Sequence, residues 1–230
     1  MAESKPETKK FADRYQISPV TALYALLKDY FLAIFGAAVF ALILRVYVVE
    51  AFRIPTDFMV PTLLPGDHIL VSKLAYGGVF GLQPSKPARG DVIIFTFPND
   101  PTKDYIKRVL AVEGDTVEIK NSLVLLNGKA VSRVMEPNLY EEDLGDKHYY
   151  VQWKGAAPEA RAMSHVKVPE GQVFVLGDNR AKGQDSRSFG FLPLSNIKGK
   201  ASRIFFSVGT TPGTGGAINV RWSRLFTKVN

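Results

Sequence analysis

The sequence predicts a mainly β protein: an antiparallel β-sheet domain with an inserted cap lobe, preceded by one N-terminal transmembrane helix. Three observations carry this. Between Asp91 and Val208, β-branched and aromatic runs recur between Gly, Pro, Asn and Asp, and no helical crossover separates them. Inside one of those runs the pair Asn127-Gly128 is a tight-hairpin signal. Near the N-terminus the stretch YFLAIFGAAVFALIL, Tyr30 to Leu44, carries no charge.

Residues 1–29 form a polar tail. Its cations Lys5, Lys9, Lys10, Arg14 and Lys28 favour a cytoplasmic location, although the large domain that follows weakens charge counting as a guide to orientation. SPVTALYALLKDY, from Ser18, reads as helix leading into the span. A helix from Tyr30 to Leu44 reaches about 22 Å, short of a hydrocarbon core of about 30 Å. Extending it through Val49, with Arg45 snorkelling to the interface, gives about 30 Å and a span over 30–49. A cleaved leader would start nearer Met1, and a buried core helix is the other alternative.

After Glu50 the period turns from helical to extended. Strands are expected at Asp91–Phe97, Asp115–Lys120, Ser122–Val131, Gln172–Asp178 and Ala201–Val208. They place the β domain at 50–129 and 171–230. Residues 130–170 are more polar and irregular and are assigned to the inserted lobe, and TTPGTGG, from Thr210, to a loop.

Composition excludes several chemistries. The 230 residues include no cysteine, so disulfides, thiolate metal sites and cysteine nucleophiles are absent. His68, His148 and His165 lack metal-ligand spacing, and neither a phosphate-binding glycine loop nor a GxSxG elbow occurs. No cofactor or metal is expected. The net charge of +7 is scattered rather than blocked, which argues against nucleic acid. What remains is a hydroxyl–lysine arrangement or no catalysis. Lys107, in DYIKRVLAVEGD, is the candidate amine if it points inward from an extended segment with Arg108 pointing outward; an ordinary solvated strand lysine is the alternative that this segment alone favours.

Four segments, RIPTDFMVPTLLPGDHILVSKLAYG, RGDVIIFTFP, YIKRVLAVEGD and VFVLGDNRAKGQDSRSFGFLP, resemble in order and spacing the boxes of bacterial type I signal peptidases. The resemblance covers about two thirds of the chain, leaving out the tail and the lobe. It implies a signal-peptidase-like fold and a membrane-anchored serine endopeptidase. Its β-rich domain would lie outside the cytoplasmic membrane and remove signal peptides from exported preproteins. The family's first box reads Ile-Pro-Ser-x-Ser-Met-x-Pro-Thr-Leu, its second serine being the nucleophile, and its third box supplies a lysine base. Matched residue by residue, Lys107 falls on the base, Thr56 on the first serine as an oxyanion donor, and Phe58 on the nucleophile. Phe52, Ile54, Pro55, Met59, Leu63, Tyr105 and Ile106 match positions that bind substrate. Asp178, Arg180, Asp185 and Arg187 of the last box are expected to form a supporting charge network, whereas Gly183 stands where the family has a serine that hydrogen-bonds the lysine.

A phenyl ring has neither a lone pair to attack a carbonyl nor a proton to give up. Thr56, on the same side as Phe58 if the backbone is extended, is one replacement, and Asp57 a weaker one. Two readings follow: an endopeptidase impaired or rerouted at Phe58, or a non-catalytic relative that binds signal peptides or regulates an active paralogue. The second expects Lys107 buried against Phe58 and neutral near pH 7. Signal peptides and the lipid bilayer are the expected partners, with YGGVFGL and VRWSRLF as candidate apolar surface.

Overall fold

The computed structural model describes residues 19–76, 85–155, 162–182, 184–210 and 218–230. The chain divides into two units, Met1–Val46 and Tyr47–Asn230. YGGVFGL beyond Tyr76, most of TTPGTGG, and Gly183 lie outside the described residues.

In the first unit, helix α1 spans Pro19–Ile43. Proline suits its first turn, where an N–H would have no intrahelical acceptor. The helix therefore starts well before Tyr30, and it stops before Val49: Leu44–Val48 forms a π-helical turn containing Arg45, and Val49 already belongs to a strand. Successive β-branched and aromatic residues in VYVV favour that change. Leu26–Ile43 is long and apolar enough to cross a membrane. Phe31, Ile34, Phe35, Phe40 and Leu42 are all exposed, as expected for a helix whose solvent is lipid.

The second unit is antiparallel β. Its strands are β1 (Val49–Arg53), β2 (Asp67–Ser72), β3 (Val92–Thr96), β4 (Asp104–Val112), β5 (Thr116–Lys120), β6 (Leu123–Leu126), β7 (Lys129–Ala130) and β8 (Ser132–Glu136). There follow β9 (Leu139–Asp143), β10 (His148–Gln152), β11 (Met163–Lys167), β12 (Gln172–Leu176), β13 (Leu192–Pro193), β14 (Ile197–Thr210) and β15 (Ile218–Val220). The main sheet runs β1-β2-β14-β3-β4-β12-β13, with β15 on β14. Smaller sheets run β10-β9-β8 and β11-β5-β6-β7.

Each expected strand is present. The run Ser122–Val131 folds as the β6–β7 hairpin, with Asn127 and Gly128 both at positive φ (52° and 80°), which the tight turn requires. Strand β14 outgrows Ala201–Val208 and bulges twice against β2, which bends a long strand along the sheet.

Burial explains the positions that matter. Strand β4 sits inside the sheet, between β3 and β12, with Lys107 opposite Ile93 and Arg108 opposite Val92. One core cluster, including Ile54, Met59, Leu63, Ile69 and Ile94, packs below the segment that follows β1. Another, including Leu110, Val117, Trp153 and Phe174, ties β4, β5 and β12 together.

Candidate active site

The first wall of the site is the segment after β1. Ile54 donates its N–H to Asp67 O at 2.8 Å and accepts from Gly66 N at 2.8 Å, which fixes the exit of the chain. Bends at Thr56 and Asp57 then lead into a turn from Phe58. The backbone here is not extended, so the two-residue alternation invoked for Thr56 and Phe58 does not apply. Met59 and Leu63 are fully buried, and Leu63 N closes a turn on Met59 O at 2.9 Å. These two side chains anchor the turn and do not reach the cavity.

Lys107 forms the floor. Strand alternation aims it at the turn, and its Nζ lies 4.7 Å from the centroid of the Phe58 ring. It is 1% exposed and makes no hydrogen bond or ion pair among the described residues. Burial pushes its pKa from 10.5 down to about 8, partly offset by the charges of Asp185 and Asp178. At pH 7 the ammonium therefore remains the major form, contrary to the expectation of a neutral amine.

Above this floor opens an apolar cavity of about 320 Å³. Phe52, Ile54, Pro55, Tyr105 and Ile106 line it together with Thr56, Phe58 and Lys107. The structure thus gathers into one cleft all the candidate site residues from the first and third segments except Met59 and Leu63.

The last box lies outside the cavity lining and packs on the Asp57–Phe58 turn. Asn179 N donates to Phe58 O at 3.0 Å and Asn179 Nδ2 to Asp57 O at 3.1 Å, while Lys182 Nζ meets Asp57 Oδ2 at 2.6 Å. A Cβ added to Gly177 would lie 2.8 Å from Phe58 O and 3.6 Å from Lys107 Nζ, so only glycine lets this loop close over the turn. Asp185 accepts from Gly177 N at 3.2 Å, and from Arg187 Nε and Nη2 at 2.8 and 2.7 Å. It also caps the short helix α2 (Ser186–Phe189).

The neighbour of Lys107 is the larger surprise. Arg108 was expected outside, yet it is also 1% exposed, because Asp178, the Gly90 carbonyl and the Tyr149 ring of β10 supply partners on that face. Its Nε and Nη2 donate to Asp178 at 2.8 and 2.7 Å, its Nη1 to Gly90 O at 2.9 Å, and its guanidinium lies 3.8 Å from the Tyr149 ring centroid. Thr62 Oγ1 donates to Asp178 Oδ2. Tyr149 donates its hydroxyl to Glu142 at 2.8 Å, and burial followed by the Glu142 charge pushes that phenol's pKa well up. Arg180 completes the chain: Nη2 donates to Glu142 Oε2 at 2.7 Å and Nε to Gly177 O at 2.9 Å. Its Nη1 lies 2.7 Å from Glu142 Oε1 but out of line for a hydrogen bond.

Asp178, Arg180, Asp185 and Arg187 thus sit in a buried charge network, joined by Arg108, Thr62, Tyr149 and Glu142, which sequence reasoning missed. Adjacency to Lys107 was the one available signal for Arg108. Nothing in the local sequence of Glu142 or Tyr149 marks them, since each is one polar residue among many in β9 and β10. His68, His148 and His165 lie on separate strands, β2, β10 and β11. No group of acidic residues or histidines that could hold a metal occurs among the described residues.

Comparison with known proteins gives a match to the model of the signal peptidase family, peptidase S26, over residues 27–206. The chain belongs to that family. Relatives include a signal peptidase I of Pseudomonas fluorescens, 36% identical over 79% of this chain and 73% of the relative. Another is the signal peptidase I of Aquifex aeolicus, 36% identical over 72% of this chain and 79% of the relative. A solved signal peptidase I from Enterococcus faecalis is 30% identical, with a TM-score of 0.35, covering 50% of this chain and 97% of that one. The S26 match includes the cleft segments at Phe52–Phe58 and Tyr105–Lys107 and the 177–187 box.

Proposed function

We propose that this S26 member binds the cleavage region of exported preproteins in the cleft above Lys107 but is impaired as a peptidase, because Phe58 stands at the nucleophile position. The observation that carries the reading is the Phe58 ring 4.7 Å from Lys107 Nζ. A lysine base acts by taking a proton from a hydroxyl within about 3 Å. The atoms facing this amine are aromatic carbons, which offer none. Loss of the nucleophile in a comparable hydrolase costs about 10⁶ in turnover.

Lys107 is the retained base position, Thr56 the oxyanion position, and Phe52, Ile54, Pro55, Tyr105 and Ile106 the peptide-contacting wall. Asp178, Arg180, Asp185 and Arg187 hold the lysine strand and the Phe58 turn together. In this reading residues 1–29 are a cytoplasmic tail, the apolar helix is a single membrane span, and the β domain works on the outer side. Residues 130–170 act as an inserted lobe whose Glu142 and Tyr149 brace the core. Regulation of an active paralogue is the cellular role that fits a binder of this kind.

The test is incubation of the purified, detergent-solubilised full chain and its Lys107→Ala variant with a signal-peptide-bearing preprotein. The reading predicts binding without cleavage by the native chain, and no change in that inert state on Lys107→Ala. Cleavage by the native chain that disappears in Lys107→Ala would overturn it and make Thr56 the residue to examine.

A further inference from the structure

The floor of the cleft carries a cation with no anion. Lys107 Nζ lies under an apolar cavity with 1% of the residue exposed, against the Phe58 ring, and without a hydrogen bond or ion pair among the described residues. The carboxylates around it are committed elsewhere. Asp178 receives Arg108 and Thr62, and Asp185 receives Arg187 and the Gly177 N–H. At the rim, Asp104 is held by Lys198, and Lys103 by Asp100. An unpaired buried charge is costly, and any ligand that supplies its counter-ion gains what that pairing recovers.

The apolar part of the lining includes Phe52, Ile54, Ile106 and the Phe58 ring, and Arg53 is a further cation on the same lining. A ligand complementary to both features has an anion at its tip and an apolar body behind. With about 320 Å³, the cavity sits at the low end of ligand sites, which run to about 1,000 Å³, and holds the end of a chain rather than a folded partner. An uncut peptide would offer a neutral carbonyl at the same place and leave the ammonium unpaired.

We propose that the cleft selects the free C-terminal carboxylate of an apolar peptide, with Lys107 Nζ as its ionic partner and the Phe58 ring packed beside the terminal residue. The proposal rests on the peptide-binding reading above and deepens it: among the peptides the cleft binds, a cut peptide is preferred over a chain awaiting a cut. The charged groups facing Lys107 from the neighbouring elements are Asp178, Asp185 and Arg187, so the lysine itself sets the pH dependence of the preference. Ammonium predominates below about pH 8, and a carboxylate gains least from the site well above it.

The test uses the full chain in non-ionic detergent and an N-terminally fluorescein-labelled peptide, Leu-Leu-Ala-Leu-Ala-Gln-Ala, made as free acid and as C-terminal amide. Anisotropy titrations are run at pH 6.5 and 9.5 on the native chain and on Lys107→Met, with decanoate as competitor. The free acid is expected to bind at least about tenfold more tightly than the amide at pH 6.5, with the preference reduced at pH 9.5 and abolished in Lys107→Met. Equal binding of acid and amide would overturn the carboxylate proposal while leaving peptide binding intact. Failure of both peptides to bind would overturn the peptide-binding reading as well. A preference that survives in Lys107→Met would remove Lys107 as the partner. Displacement by decanoate at lower concentrations than the free-acid peptide needs would assign the site to fatty acids instead.

Discussion

Lys107 and Arg108 are consecutive residues of one strand, equally buried at 1% exposure, and their surroundings are opposites. Arg108 meets a carboxylate through two bonds, a carbonyl through a third and an aromatic face. Lys107 meets a phenyl ring and an apolar cleft. A planar, always-charged fork suits a fixed ionic joint, whereas a single amine with a movable pKa suits a surface where something is exchanged. The comparison separates the part of the site that holds the fold from the part that addresses a ligand, although both came from one short sequence box.

The paired side should break hardest. Replacing Arg108 by methionine leaves Asp178 buried without its partner, and the expected loss is about 3–5 kcal/mol of stability in urea unfolding of the solubilised protein. A loss below about 1 kcal/mol would mean that the Asp178 joint is not a structural element.

The unpaired side should respond with the opposite sign. Since folding lowers the pKa of Lys107 from 10.5 to about 8, the protonated form is penalised in the folded state. That penalty is complete below about pH 8 and is relieved as pH rises towards 10.5. Lys107→Met is therefore expected to stabilise the protein at pH 7 by up to about 3 kcal/mol, with the gain shrinking above pH 8. Destabilisation at pH 7 would show that the amine has a partner in solution.

Gly177 joins the two sides. A methyl group there meets the Phe58 carbonyl at 2.8 Å, so Gly177→Ala should displace the turn, weaken the Asn179–Phe58 bond and cost about 1–3 kcal/mol. Faster amide exchange at Asn179 is its local signature. The smallest effect belongs to the exposed Lys182–Asp57 pair, where Lys182→Ala should change stability by less than about 1 kcal/mol.

How much of this was legible in the sequence follows the same division. The hairpin at Asn127-Gly128, the apolar strands and the inward lysine were readable because each rests on local pattern or on a box matched residue by residue. The apolar helix was readable as an element, its start included in the helical reading from Ser18, but not in its end, which the β-branched VYVV brought forward from Val49 to Ile43. Strands β8 to β11 were passed over because their exposed positions carry Arg, Glu, Tyr and Lys without strict alternation. The inward turn of Arg108 depends on Asp178, 70 positions away, and the Arg180–Glu142 pair spans 38 positions. No local window holds that information. The bend at Thr56 and Asp57 likewise follows from bonds to Asn179 and Lys182, made only once the sheet has closed.

The most direct test of the central claim is preprotein cleavage by the full-length Phe58→Ser variant in detergent, beside the native chain and the double variant Phe58→Ser/Lys107→Ala. If Phe58 is what silences a site with its lysine floor in place, the single variant cuts measurably while the native chain and the double variant do not. An inert Phe58→Ser variant that remains folded, or a native chain that cuts as fast as the variant, would contradict the account.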